Sequence, residues 1–329
     1  MPGPMTKPPR EASPRHEPSP ARRTPPNPWL RALRSVVTVA ALAAWAWLLF
    51  LRHRHRALRQ DASAAIPNQV HLVKMVQDPA SRADFAFCFT DFLAAYAAWH
   101  HWRPRAMYLH TNAGEAAVRD ARAGLSGRWT ERLLRIPGLA VVAADADAAA
   151  DRVAVEAVRA AGGIALAFDV FALQDVGGYR RGRHEFVSYR LGEGGAAGHD
   201  FFMAARGSGV VEAWAERLRR RPGGEGASSP SELILREGSA RTAGAAAQGV
   251  RLMDADEFVS DKRDGSVTGR LLETARGGPH EEKWTGERWE FLTPRHLLGR
   301  RSVFARAMYP VVRELVDAGV VDADEDEIR

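Results

Sequence analysis

The sequence predicts an α/β fold, a mostly parallel Rossmann-like sheet flanked by helices, preceded by one membrane-spanning helix. Three observations carry this. Short apolar runs at 66–73, 106–111 and 139–144 alternate with helix-length segments, the order that builds parallel strands joined by right-handed crossovers. Residues 151–170 read as a helix, a double-glycine stop, a short buried strand and a carboxylate, Asp169, at the strand's end. Residues 35–51 contain no charge and are bracketed by arginines.

In chain order, the first 34 residues are rich in proline and arginine, and ten of the chain's 19 prolines precede Trp29. Such a stretch has too little apolar surface to offset the entropy of ordering, so a disordered tail is expected. Residues 35–51 (SVVTVAALAAWAWLLFL) follow. At ~1.5 Å per residue they span roughly 26 Å, enough for a thin bilayer. A cleaved signal peptide is the rival, but the segment ahead is too long and too polar. Arg31, Arg34, Arg52 and Arg54 at the two ends argue against a buried core helix. The expectation is a single-pass type II anchor with a short cytosolic tail, a stem over 52–65 and the bulk of the chain lumenal. A short span suits the endoplasmic reticulum or Golgi membrane. Arginine on both sides leaves the positive-inside count nearly balanced.

Charge location excludes one class. The chain carries +6 overall with a pI near 9.9, which would suit nucleic acid. Residues 1–59, however, hold 11 of the Lys and Arg against Glu11 and Glu17, leaving 35 basic and 38 acidic residues beyond. The globular part is slightly acidic, so no nucleic-acid partner is expected. The single cysteine, Cys88, excludes an internal disulfide framework. Its neighbours Phe85, Phe87, Phe89 and Phe92 mark it as a packed apolar thiol.

The main domain is expected over 66–300. Asp84 is placed to cap a helix whose Phe85, Phe89, Phe92, Tyr96 and Trp99 recur at three- and four-residue spacing, a core stripe. In the 151–170 segment, Ala, Val and Glu fill the helix without a breaker, and Gly162 supplies a left-handed stop. The apolar run 164–168 suits a strand covered on both faces, and Asp169 then lies at its carboxyl end, where open α/β sheets bind ligands. Residues 222–230 (PGGEGASSP) read as a loop. Residues 302–316 read as a helix broken or kinked at Pro310. The acidic run 322–327 reads as a solvated tail, within a C-terminal helix-and-tail region over 301–329.

The segment Asp151 to Asp169 resembles the signature of the DXD-containing sugar-binding glycosyltransferases, the membrane-anchored family that includes yeast-type mannosyltransferases. That pattern is Asp-x-x-Arg, seven residues, then Gly-Gly-Ile-Tyr-x-Asp-x-Asp. Asp151, Gly162, Gly163, Ile164 and Asp169 match it in spacing, whereas Ala154, Ala165 and Ala167 replace its arginine, its tyrosine and its first DXD aspartate. The resemblance implies a GT-A type fold and a retaining hexosyltransferase that uses Mn²⁺ or Mg²⁺, a GDP- or UDP-sugar donor and a glycan or glycolipid acceptor. It assigns the metal to Asp169 and the donor sugar to Asp151, with Gly162 and Gly163 among the donor-site residues. The opening strand is similar to the family's Ile-Pro-x-x-x-His, bringing His71 toward the nucleotide base. Residues 202–208 (FMAARGS) are similar to another family strand, and Gly198, His199 and Asp200 fall where relatives carry a donor-facing asparagine. His199 and Asp200 are therefore candidates to replace the lost ligands. His280, in the run HEEKW, matches a late histidine that completes the metal site. Asp145-Ala146-Asp147, Asp254-Ala255-Asp256 and Asp322-Ala323-Asp324 also satisfy the literal DXD, without the glycine context. The three altered positions keep open an alternative, a non-catalytic relative acting as a membrane-tethered scaffold or binding partner.

Overall fold

Strand β1 (Gln69–Lys74) is the pivot of a seven-stranded sheet. In the computed structural model, residues 66–191, 196–220, 249–253, 260–261, 267–268, 271–273 and 292–325 are described. The expected tail, anchor and stem, the 222–230 loop, Asp254 to Asp256 and His280 lie outside them. Among the described residues, no helix is long and apolar enough to cross a membrane.

From β1 the chain runs through helix α1 (Phe89–Trp102), strand β2 (Ala106–Thr111), helices α2 (Glu115–Arg122) and α3 (Arg128–Leu134), strand β3 (Leu139–Ala143), helix α4 (Ala150–Ala161) and strand β4 (Gly163–Leu166). Next come β5 (Val170–Ala172), the short helix α5 (Gly177–Arg180), β6 (Phe186–Leu191), β7 (Ala196–Ala204) and helix α6 (Gly209–Arg220). Strands β8 (Val250–Met253), β9 (Ser260–Asp261), β10 (Val267–Thr268) and β11 (Leu271–Glu273) precede helices α7 (Pro294–Leu298) and α8 (Val303–Asp317).

The main sheet has the order β3-β2-β1-β4-β7-β6-β8. Four pairings are parallel (β1 with β2 and with β4, β2 with β3, β6 with β8). Strand β7 runs antiparallel between β4 and β6. The expected mostly parallel sheet flanked by helices is therefore present, with one reversed strand in it. Strand β1 also marks the topological switch: the chain leaves it outward through β2 and β3, then returns to its other side as β4.

Period-two alternation divides the core between the two faces. Val70, Leu72, Met107, Leu109, Ile164, Leu166, Phe201 and Met203 point to one face, where they join residues of α1, α3 and α8 in the larger cluster. Ala165, Phe186, Phe202 and Ala204 point to the other, against Val155 and Val158 of α4 and Val210, Val211 and Trp214 of α6. Strand β4 is buried on both faces because each has its own helical layer.

Three details differ from expectation. Helix α1 starts at Phe89 with Cys88 as N-cap, four residues after Asp84. The Cys88 amide donates to Asp91 Oδ2 at 3.0 Å and the thiol donates to the same oxygen at 3.2 Å, so Cys88 is more than an apolar filler. Asp84 instead closes a turn, accepting from the Asp78 amide and the Ser81 hydroxyl. Helix α8 continues through Pro310: proline removes one backbone donor, while Met308, Val311, Val312 and Leu315 bury the helix on both sides of it. In the C-terminal acidic run, Glu325 is only 6% exposed. Its carboxylate accepts from Arg128 and from Arg132, the latter at 2.9 Å, so this part of the tail is tied to α3.

Candidate functional site

In an open α/β sheet the crevice at the carboxyl ends of the strands, where the strand order reverses, receives the ligand. Here the strand order reverses between β1 and β4. Lys74 ends β1. Its Nζ stands 5.3 Å from the centroid of the Phe87 ring, and that ring lies 5.3 Å from Phe168, the residue before Asp169. Asp169 sits in the turn that follows β4, half-buried, with Oδ1 out of contact with solvent. One cation and one carboxylate therefore flank the switch point.

A second carboxylate arrives from β7. The pairing of β6 with β7 jumps from Ser188↔Phe202 to Arg190↔Ala197, so four residues, 198–201, stand opposite Tyr189 alone. The Ser188 hydroxyl closes this bulge by donating to the carbonyls of Gly198 (2.8 Å) and Phe201 (3.2 Å). Gly198 is required by close approach, since a Cβ there would lie 1.9 Å from Cζ of the buried Tyr189 ring. Bulges re-aim side chains, and this one presents His199 and Asp200. The Asp200 carboxylate is held by the Tyr189 hydroxyl at 3.3 Å and by His199 Nε2 at 3.3 Å. Its backbone carbonyl accepts from the amide of Ala167 at 2.8 Å. Asp200 thus adjoins the position where the sequence pattern lacks its first aspartate.

Other candidates stand elsewhere. Asp151 is in the first turn of α4, half-buried, and makes no hydrogen bond or ion pair among the described residues. Gly162 and Gly163 lie at the amino end of β4, a strand length from Asp169. Both have positive φ (72° and 112°), and a Cβ on Gly163 would come within 2.7 Å of the Gln69 carbonyl. They fit the α4–β4 turn against β1. His71 is buried in the middle of β1, with Nε2 3.0 Å from the Gly162 carbonyl and Nδ1 3.0 Å from His110 Nε2. A carbonyl only accepts, so His71 carries its proton on Nε2 and His110 donates from its own Nε2. Burial pushes His71 down to about 4 and also lowers His110, keeping both rings neutral near pH 7. Asp200 therefore pairs through its backbone with Ala167, two residues before Asp169, whereas His71 lies in the middle of β1 and Gly162 and Gly163 lie at the amino end of β4.

Among the described residues, no group of three or more His, Cys, Asp or Glu side chains is arranged to hold a metal. Nor is the described cavity at the Asp169 turn. A pocket of about 370 Å³ opens beside α4, lined by His110, Asp145, Arg152, Glu156 and Arg219 over alanines and Val153. The aspartate of the rival DXD at 145–147 is thus on a cavity, paired with Arg152 at 2.7 Å. Lys74 was legible as the polar end of an apolar strand. Tyr189 and Arg219 were not, because only the pairing of distant segments brings them to these sites.

No family model matches the chain, and no curated protein matches it. Solved structures similar to it include the apo-form glycosyltransferase GlyE of Streptococcus pneumoniae, at 10% identity and TM-score 0.44, over 77% of this chain and 64% of that one. The PaToxG glycosyltransferase is similar at 8% identity and TM-score 0.38, over 56% of this chain and 76% of that one. A manganese complex of the Mycobacterium tuberculosis protein Rv0371C is similar at 18% identity and TM-score 0.30, over 57% and 88% of the two chains. All three TM-scores lie below 0.5, so the functional reading rests on this chain's own geometry.

Proposed function

We propose that the chain is a metal-dependent glycosyltransferase that moves a sugar from a GDP- or UDP-sugar to a glycan or glycolipid acceptor. The observation that carries this reading is the backbone bond from Ala167 to Asp200, which sets the strand bearing Asp200 beside the turn bearing Asp169, at the end of the sheet where Lys74 closes β1.

Sugar transfer builds negative charge on the departing diphosphate. Asp169 and Asp200 fit a hard cation, because carboxylate oxygens from two segments leave coordination positions open for phosphate. His280 is the third ligand that the sequence pattern supplies. When bound, Mn²⁺ or Mg²⁺ would neutralise the charge on the leaving group. The Tyr189 hydroxyl holds the Asp200 carboxylate by a hydrogen bond, with His199 Nε2 3.3 Å from its other oxygen, which spares it reorganisation when the donor enters. Lys74 adds a positive charge at the end of β1 for the same phosphates. Asp151 is unengaged by its described neighbours and can accept from hydroxyls of the donor sugar. Residues 35–51 would tether the domain as a type II protein of the endoplasmic reticulum or Golgi membrane.

A second reading, a glycosyltransferase-fold scaffold, is favoured by one observation: the described cavity is not at Asp169. Calorimetric titration of the detergent-solubilised chain with GDP-mannose and UDP-glucose, with and without Mn²⁺, separates the two. Loss of one charge-assisted contact costs roughly 1.5–3 kcal/mol, about 10- to 150-fold in affinity. Asp169→Asn and Asp200→Asn should each reduce Mn²⁺-dependent binding by that order. Binding that ignores metal and both substitutions would support the scaffold.

A further inference from the structure

The cavity beside α4 shares no lining residue with the Lys74–Asp169–Asp200 crevice, and its hydrogen-bonding capacity is lopsided. Each carboxylate oxygen on it already has a donor. Asp145 Oδ1 accepts from the Asp147 amide at 3.2 Å, and Oδ2 from Arg152 at 2.7 Å. Glu156 accepts from Arg159 at 2.6 Å and from Arg219 at 2.9 Å. The guanidinium groups have capacity left: Arg152 uses Nη2, and Arg219 uses Nε and, toward Glu216, Nη1. Each has five N–H donors in a planar fork that suits phosphate or carboxylate. They approach from different walls, Arg152 from the start of α4 and Arg219 from the end of α6.

Two further features favour the same ligand. Helix α4 has Ala149 as its N-cap and no side-chain cap, and Ala148 and Arg152 line the cavity at its amino end, so the first-turn amides and the dipole add to the attraction for an anion. His110 supplies the opposite function. The Gly162 carbonyl fixes the proton on His71, His110 therefore donates to His71, and His110 Nδ1 is left as an obligate acceptor. Donors for an anion, an acceptor for a hydroxyl and a floor of small apolar side chains fill one volume of about 370 Å³, within the range of small-molecule sites.

We propose that this cavity binds a small sugar phosphate, with Arg152 and Arg219 holding the phosphate and His110 accepting a hydroxyl, as a site separate from the donor crevice. The assignment goes beyond the glycosyltransferase reading and does not depend on it.

Calorimetry on the full chain with ribose 5-phosphate, inorganic phosphate and ribose tests it. Ribose 5-phosphate should bind about 5-fold or more tighter than inorganic phosphate, as one added hydrogen bond predicts, and ribose should show no binding. Arg152→Ala and Arg219→Ala should each weaken ribose 5-phosphate about 10-fold or more. Neither is a core change, because the two side chains are 28% and 44% exposed. Asp169→Asn should leave this binding intact, so failure of the donor site and failure of this site are told apart. No heat with ribose 5-phosphate, equal affinity for inorganic phosphate, indifference to both arginine changes, or displacement by GDP or UDP would each overturn the proposal.

Discussion

The amide of Ala167 donates to the carbonyl of Asp200 at 2.8 Å. That bond ties the segment leading into the Asp169 turn to the bulge in β7 that carries Asp200. The bulge depends on Gly198, which leaves room for the Tyr189 ring.

Substituting that glycine should therefore act on stability and site together. Tyr189 is 1% exposed and has no room to swing clear of a Cβ. Gly198→Ala should cost about 1–3 kcal/mol, the usual range for overpacking, read as a lower urea midpoint with unchanged slope. Metal-dependent nucleotide binding should weaken in the same variant. Pairing it with Tyr189→Leu should recover part of the stability. A wild-type midpoint for Gly198→Ala would show that the ring does not hold the bulge.

Acid should loosen the fold through His71. Its folded-state pKa, about 4, lies below the ordinary 6.5 because the ring is buried. Between those values the unfolded chain binds a proton that the folded chain does not, so stability is complete above about 6.5 and declines as pH falls toward 4. The contribution of this one group is on the order of 3 kcal/mol. His101, also pushed down to about 4 mainly by burial, acts in the same direction. Urea titrations at pH 7.5 and pH 4.5 should show a smaller acid loss in His71→Asn than in the wild type. An equal loss would remove His71 from the account.

The carboxyl-terminal residues should come loose when Glu325 is removed. Arg128, Arg132 and the Asp322 amide all donate to this buried carboxylate. Glu325→Ala should cost about 1–3 kcal/mol and expose residues 320–325 to limited proteolysis, with Glu325→Gln intermediate. A protease pattern identical to the wild type would show that the apolar contact of Val321 is sufficient by itself.

The sequence made local features legible and non-local ones opaque. The apolar runs at 106–111 and 139–144 became β2 and β3, although only β2 is buried at alternate positions and β3 stays partly exposed at the sheet's edge. Gly162 and Gly163 ended α4 as their backbone freedom implies. The strand expected over 164–168 ends at Leu166, so Asp169 falls in the turn between β4 and β5 rather than at the strand's end. The start of α1 was misjudged because Asp84 is engaged in its own turn with Asp78 and Ser81, while Asp91 caps the helix from its first turn by accepting from the Cys88 amide. The reversed β7, its four-residue bulge and the meeting of Arg152 with Arg219's wall depend on contacts between distant segments. Glu325 looked like one more solvated acid, since its arginine partners lie 193 or more positions away.

The cross-strand tether also bears on how such a site tolerates change. If Asp200 supplies the oxygen ligand proposed above, a methyl group at 167 suffices, and the turn after β4 is released from a duty that a linear motif would assign to it. On that proposal, one ligand can move to a neighbouring strand while the linear signature fades, a change readable only from the pairing of β4 with β7.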